Sequence, residues 1–291
     1  MNAKIHFSVD PVVRSNLDFH LENMQKDWFE NDPFKTRFFD AISILFPDGE
    51  RYFIESVRRF RSEIKDPKLQ QAVADFIRQE AQHGIAHSKM NLVLESKGVP
   101  ALYIAKQGKD IFDWMTEKLS PRLNLTLTAA FEHMTALMAE SFFAEKQTFA
   151  DADPYVRALL AWHSIEEMEH RDVAYDVMSK VGDVPEWMRK IALPMAIVHM
   201  MGFSLFRTHY LLRHEGYSRT ECMKMFVQGV PKLFGTQGTL GKNRKQLFAW
   251  FKKGFHPSQH TVIAQYDVWI KVLEETGDPI QAGEAFWQAG R

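Results

Sequence analysis

The sequence predicts an all-α protein organised as a four-helix bundle with one crossover. Strand signals are scarce, with no sustained period-2 alternation and no Asn-Gly or Asp-Gly hairpin between β-branched runs. Four long segments instead carry helix-period apolar residues, and they fall into two consecutive hairpins joined by a longer connection.

Residues 1 to 35 form a mixed polar and aromatic lead-in broken by Pro11 and Pro33. A helical segment follows at about 36 to 45, and FPDG (46–49) then reads as a break or kink before ERYFIESVRRFRSEI. Pro67 marks the next helix start, and that helix runs to Gly98. The connection after it holds a short amphipathic piece, DIFDWMTEKL (110–119). The third long helix is placed at roughly 122 to 149 and the fourth from Pro154 to Gly182. Further helices over about 185 to 291 cover a core bundle of about 36 to 182, and no linker separates a second domain within 1–291.

Composition narrows the function classes. The 36 basic and 37 acidic side chains nearly cancel, so no global field points to nucleic acid. One cysteine, Cys222, excludes an intramolecular disulfide framework. MNAKIHFSVDPVV contains no apolar run of signal-peptide length, and a cytoplasmic protein is expected. The apolar stretch 191–206, IALPMAIVHMMGFSLF, is shorter than a spanning helix and contains Pro194 and His199, so it reads as a buried helix. Fourteen methionines and 23 phenylalanines suit either ordinary core packing or the lining of an apolar pocket.

The chemistry concentrates in WHSIEEMEHR, residues 162–171. At about 100° per residue, His163 lies near −40° and His170 near −60° of Glu167, so the three share a face that Leu160 and Ala174 extend as apolar. Glu166 and Glu169 point elsewhere and are expected on the outer face or one layer behind the ligands, with Trp162 and Ile165 packing the other side. On the second helix Glu80 and His83 form a like pair flanked by Phe76 and Ile77. A Glu-x-x-His pair on each of two helices plus one Glu from each of the others is the inward ligand set of carboxylate-bridged dimetal bundles. Glu132, among Thr128, Ala129, Thr135 and Ala136, supplies one lone Glu in preference to Glu140 or Glu145. Glu50 supplies the other, against the alternative that it merely stabilises a helix N-terminus. In each hairpin the paired ligands lie at comparable distances from the turn.

As a set, Glu50, Glu80-x-x-His83, Glu132 and Glu167-x-x-His170 resemble the ferritin-like di-iron carboxylate superfamily, and the fold this implies is a ferritin-like four-helix bundle with accessory N- and C-terminal helices. His163 gives H-x-x-x-E-x-x-H, which is similar to the arylamine N-oxygenase branch with its third histidine. FPDGERYF, FIRQEAQHGIAH and FEHMTA resemble a bacterial family catalogued as predicted metal-dependent hydrolases over roughly residues 10 to 260.

The resemblance implies two iron ions, with manganese as the other candidate. Glu80 and Glu167 would bridge, Glu50 and Glu132 would be terminal, and His83, His163 and His170 would give one nitrogen each. These four glutamates would then be the catalytic carboxylates. The expected activity is O2 activation to oxidise a small apolar or aromatic molecule, with an electron donor as partner. The alternative is a dimetal hydrolase whose metal-activated hydroxide attacks an ester or phosphate. A ferroxidase, or a structural metal bundle without turnover, completes the range.

His87 shares the stripe of Glu80 and is either a residue that hydrogen-bonds a ligand from behind or a satisfied core histidine. Arg171 and Asp172 are weaker candidates for such contacts, and His133 is expected to be structural. GKNRKQLFAWFKKGFHP (241–257) is read as a surface helix with its aromatics inward, peripheral membrane contact being the other reading. A homodimer is compatible with all of this.

Overall fold

The computed structural model describes residues 10–29, 32–144, 146–259 and 265–289, with side chains 143–147 left aside. The class is all-α: among these residues the only β feature is an isolated bridge between Phe29 and Ala152. The helices are α1 (Pro33–Ser43), α2 (Phe46–Arg58), α3 (Pro67–Ser96), α4 (Ala101–Lys118), α5 (Pro121–Ala144), α6 (Pro154–His170), α7 (Val173–Lys180), α8 (Glu186–Ile197), α9 (Phe203–His214), α10 (Arg219–Phe234), the single turn α11 (Arg244–Leu247), α12 (Tyr266–Thr276) and α13 (Pro279–Gln288). Of the stretch scanned for a leader, residues 1–9 lie outside the described residues, as does Glu145.

One dipeptide starts four of these helices. Asp32-Pro33, Asp66-Pro67, Asp153-Pro154 and Asp278-Pro279 each put an aspartate at the N-cap, where its carboxylate accepts from an N–H of the first turn. The proline behind it has no N–H to leave unpaired and is already set at helical φ. These caps fix where α3 and α6, the two helices of the Glu-x-x-His pairs, begin.

Four sequence expectations are corrected. FPDG is not a break but the first turn of α2, because proline is tolerated there; the chain interrupts two residues earlier, at Ile44 and Leu45. The short piece in the crossover is an 18-residue helix, α4. It crosses Leu45 at Gly108, where a Cβ would stand 2.4 Å from Leu45 Cδ2, so the glycine that weakens the helical signal makes the close approach possible. The third helix ends at Ala144 and continues as a 3-10 turn, Lys146–Phe149. The fourth is interrupted at Arg171 and Asp172, immediately after His170, with both residues keeping right-handed helical dihedrals.

The stretch 191–206 differs most. It lies in a nearly continuous rod, Glu186–His214, made of α8, a π-helical turn at Val198–Gly202 and α9. Pro194 removes one ladder hydrogen bond, and the π turn begins four residues on. Rather than being buried, the rod packs one face on α5 and α1 through Ala192, Leu193, Ala196 and Met200, while Ile191, Met195, Val198 and Phe206 are exposed. It is the one helix among the described residues long and apolar enough to cross a membrane.

Helix α2 packs on α3 and α5, and the α6–α7 pair packs on the same two helices, with α4 against α2 and α13 against α6. Phe29, Phe38, Phe76, Phe131, Trp28 and Trp162 are among the largest fully buried side chains of the core between them.

Candidate metal centre

Each of the central helices turns polar residues toward the same interior point. From α2 comes Glu50, from α3 Glu80 and His83, from α5 Glu132, and from α6 His163, Glu167 and His170; all seven are buried. Gly84 lets α2 approach α3 here, since a Cβ on it would meet Glu50 Oε2 at 3.3 Å. Glu50 does not cap its helix: both its oxygens are buried without a hydrogen-bond partner, and Asp48 is the acidic residue of the first turn.

The donors form three overlapping triads whose ligand atoms all lie within 4.8 Å of one another: Glu50–His83–His163, Glu80–Glu132–His170 and Glu80–His83–Glu167. Every one of the seven sequence-derived candidates is in a triad. Glu80 and His83 each appear in two, so the three triads are parts of one cluster. His170 Nε2 stands 2.9 Å from Glu80 Oε1, 3.5 Å from Glu132 Oε2 and 3.7 Å from Glu167 Oε1, yet is aligned for a hydrogen bond with none of them. His163 Nε2 is 3.0 Å from Glu167 Oε1, whose second oxygen accepts from the Thr135 hydroxyl.

Behind the donors runs a layer of hydrogen bonds. His87 Nε2 pairs with His163 Nδ1 at 2.8 Å, and Ser43 Oγ pairs with His87 Nδ1 at 2.8 Å, giving a file from Ser43 through His87 and His163 to Glu167. Gln79 Oε1 lies 2.9 Å from His170 Nδ1, and its Nε2 donates to Glu169 Oε2 at 2.7 Å. Contacts of this kind fix the ring angle and tautomer of a ligating histidine. His87 is in no triad and stands one hydrogen bond out.

Burial dominates the electrostatics. It raises Glu50 and Glu132 well above the usual carboxylate range, and the neighbouring carboxylates push the same way. Glu80 is raised by burial despite the pull of His170. Burial would also raise Glu167, but the hydrogen bond with His163 and the nearness of the His170 ring outweigh it and hold Glu167 well below its ordinary value. His170 moves the opposite way to its burial, raised by Glu80, Glu167 and Glu132, whereas burial and the nearby His163 push His83 and His87 down. Protons are thus shared among groups too close to ionise independently.

Several residues escaped the sequence reading. Glu166 and Glu169, expected on the outer face or one layer behind the ligands, take the second of these places and are fully buried. Arg14 of the lead-in reaches both, at 3.2 and 2.7 Å, and Tyr266 donates to Glu169 at 2.5 Å. Glu166 accepts from Trp162 Nε1 at 2.8 Å and stands 3.2 Å from His83 Nε2. Trp162 packs its ring edge-on against His83, so it lies on the site side and not away from it. No spacing rule points to Arg14 or Tyr266, which are remote in sequence. Gln79, the residue before Glu80, is fully buried beside it. Glu140 is in no triad. Arg171 is buried beside Met168 Sδ, and His133 is structural as expected, bonded to the Leu247 carbonyl and stacked on Trp250.

The donor set fits metal. Both oxygens of Glu50, Glu80 and Glu132, both nitrogens of His83 and Nε2 of His170 are buried with no hydrogen-bond partner, a condition that natural interiors rarely leave unanswered. Carboxylate and imidazole donors with no thiolate suit iron, manganese or zinc. Fold and cluster together define an all-helical protein with a buried Glu/His group that could hold metal ions. The chain belongs to the family described as predicted metal-dependent hydrolase, which matches residues 13–261. No curated protein and no solved structure matches it.

Proposed function

We propose that the protein is a dinuclear metal enzyme in which Glu50, Glu80, His83, Glu132, His163, Glu167 and His170 hold two ions inside a ferritin-like bundle. The observation that carries this reading is the convergence of seven buried donors in triads that share Glu80 and His83. Four carboxylates would match the charge of two divalent ions, which a single ion would leave half balanced. Hydrolysis is the chemistry the family description favours. Bound ions would supply Lewis acidity that activates water and polarises an acyl or phosphoryl oxygen. The protein's own share is to hold His163 through His87, to hold His170 through Gln79, and to keep bulk water out with Phe46, Phe76 and Trp162.

A second reading, oxidation of a small apolar molecule by O2 with an external electron donor, is favoured by the space beside the donors. One cavity of about 40 Å³ is lined by Glu50, Thr135, Phe112, Phe131 and His199, and another of about 30 Å³ by Thr135, Met138, His163 and Glu167. Each has room for about two water-sized molecules, which suits a diatomic gas better than a phosphate ester.

The two readings separate in one experiment. The purified protein is loaded anaerobically with Fe(II), Mn(II) or Zn(II), its metal is counted, and it is assayed against ester and phosphoester panels before and after O2 is admitted. Two ions per chain with metal-dependent hydrolysis indifferent to O2 supports the first reading. O2 consumption only by the iron form, with a new visible absorption, supports the second. Loading of fewer than two ions, or loading unchanged in Glu167→Ala, sinks the dinuclear centre itself.

A further inference from the structure

The rod from α8 to α9 carries an unpartnered apolar face. From Ile191 to Phe206 it contains no charged residue, and its exposed positions are Ile191, Pro194, Met195, Val198, Gly202, Phe203 and Phe206. Val198 and Phe206 are 64% and 69% exposed, far more than chance placement of single apolar residues explains when they lie along one ridge. The neighbouring α10 adds Met223 and Val227, a turn apart and equally exposed. Phe248 adds another exposed ring.

Charge is segregated around this face. Residues 219–253 hold eight Lys and Arg against one acidic residue, Glu221, in a chain whose net charge is −1. Lys224, Lys232, Arg244, Lys245, Lys252 and Lys253 are all exposed. A cavity of about 520 Å³ opens among the same elements, lined by Ile197, Met201 and Leu205, by Val230 and Phe234 of α10, and by Phe248 at its rim. Its three lining residues on the rod each precede an exposed one, Val198, Gly202 and Phe206, so the cavity mouth adjoins the apolar ridge. Met138 lines this cavity and also the small cavity against His163 and Glu167.

We propose that this face seats the protein on an anionic phospholipid bilayer, with the cavity mouth turned into the lipid. The rod does not span, because its inner face is packed on α5 and carries the buried Arg189 and Arg207. It lies in the interface, as an amphipathic helix with a basic surround does. The basic surround selects an anionic surface over a second copy of this chain, since two such faces brought together would oppose like charges. An open apolar cavity at the centre also suits lipid chains, which can fill it, better than a rigid protein face, which would cap it.

The test uses the full chain and vesicles of phosphatidylcholine with or without phosphatidylglycerol. Expected is cosedimentation with the anionic vesicles, weakened by salt, and quenching of the exposed Trp187 by brominated lipid. Val198→Glu with Phe206→Glu should cut binding at least about tenfold while leaving the unfolding temperature unchanged, since both side chains face solvent. Lys245→Gln and Lys252→Gln should each cost about fivefold, and they keep the test valid if the glutamate pair misfolds. Metal content is counted on the same samples, so that loss of the metal centre and loss of vesicle binding are read separately. No binding to anionic vesicles, equal binding to neutral ones, or a dimer in solution that Val198→Glu with Phe206→Glu converts to monomer would each overturn the proposal.

Discussion

Glu169 shows how a residue that touches none of the seven donors can govern them. It takes hydrogen bonds from Gln79, Arg14, Tyr266 and the Val12 amide, and Gln79 in turn faces His170 Nδ1. Glu169→Gln keeps the shape but removes the ion pair with Arg14, and it should lower metal affinity about 10- to 100-fold through a loosened His170. Metal titration of the variant checks this, and an affinity equal to wild type would contradict it.

The raised Glu50, Glu80 and Glu132 give a second expectation at this scale. Their folded values lie above the unfolded ones, so the metal-free native state binds more protons than the unfolded chain. Its stability therefore falls as pH climbs from the ordinary carboxylate range through the raised values. Metal binding displaces those protons, so affinity should increase with pH. Calorimetry in buffers of different ionisation enthalpy should report net proton release. The seven donors were legible because each is polar on a stripe otherwise apolar. Glu166 and Glu169 were legible only as one of two alternatives, because a helical wheel does not distinguish water from a further layer of protein off the inner stripe; on α6 the lead-in and α13 supply that layer.

At the scale of elements, the hairpin of α2 and α3 depends on Gly84. Replacing it with alanine gains about 1 kcal/mol of helix propensity but sets a methyl 3.3 Å from Glu50 Oε2. Unfolding stability should change little while uptake of the second ion weakens; chemical denaturation and metal counting on the same variant separate the two. Helix existence was legible wherever Asp-Pro or a long apolar period marked it, as at α3 and α6. Helix interruption was not. The π turn after Pro194 follows a lost ladder bond, and neither it nor the break after His170 is marked by a run of turn residues. The burial assigned to 191–206 failed for a related reason: apolar composition reports affinity for a nonaqueous surrounding without saying whether protein provides it.

For the whole molecule, metal should be a folding ligand. Removing it leaves four carboxylates crowded in a dry interior, and restoring it at 100 times its dissociation constant should add about 2.7 kcal/mol per site. Thermal denaturation with and without chelator measures this, and equal midpoints would argue against a metal centre. All-helical class and the place of the central helices were legible from period and spacing. A helical cover over about 185–291 was expected, but which of its residues reach the site was not legible, because those contacts join positions distant in sequence. Arg14 and Tyr266 stand 252 positions apart and both close on Glu169. A nascent chain that has not yet released Tyr266, or one clipped beyond Arg14, lacks part of the frame that holds His170. Tight metal capture would then wait for synthesis to pass α12, making ion retention a built-in check that the chain reached Tyr266.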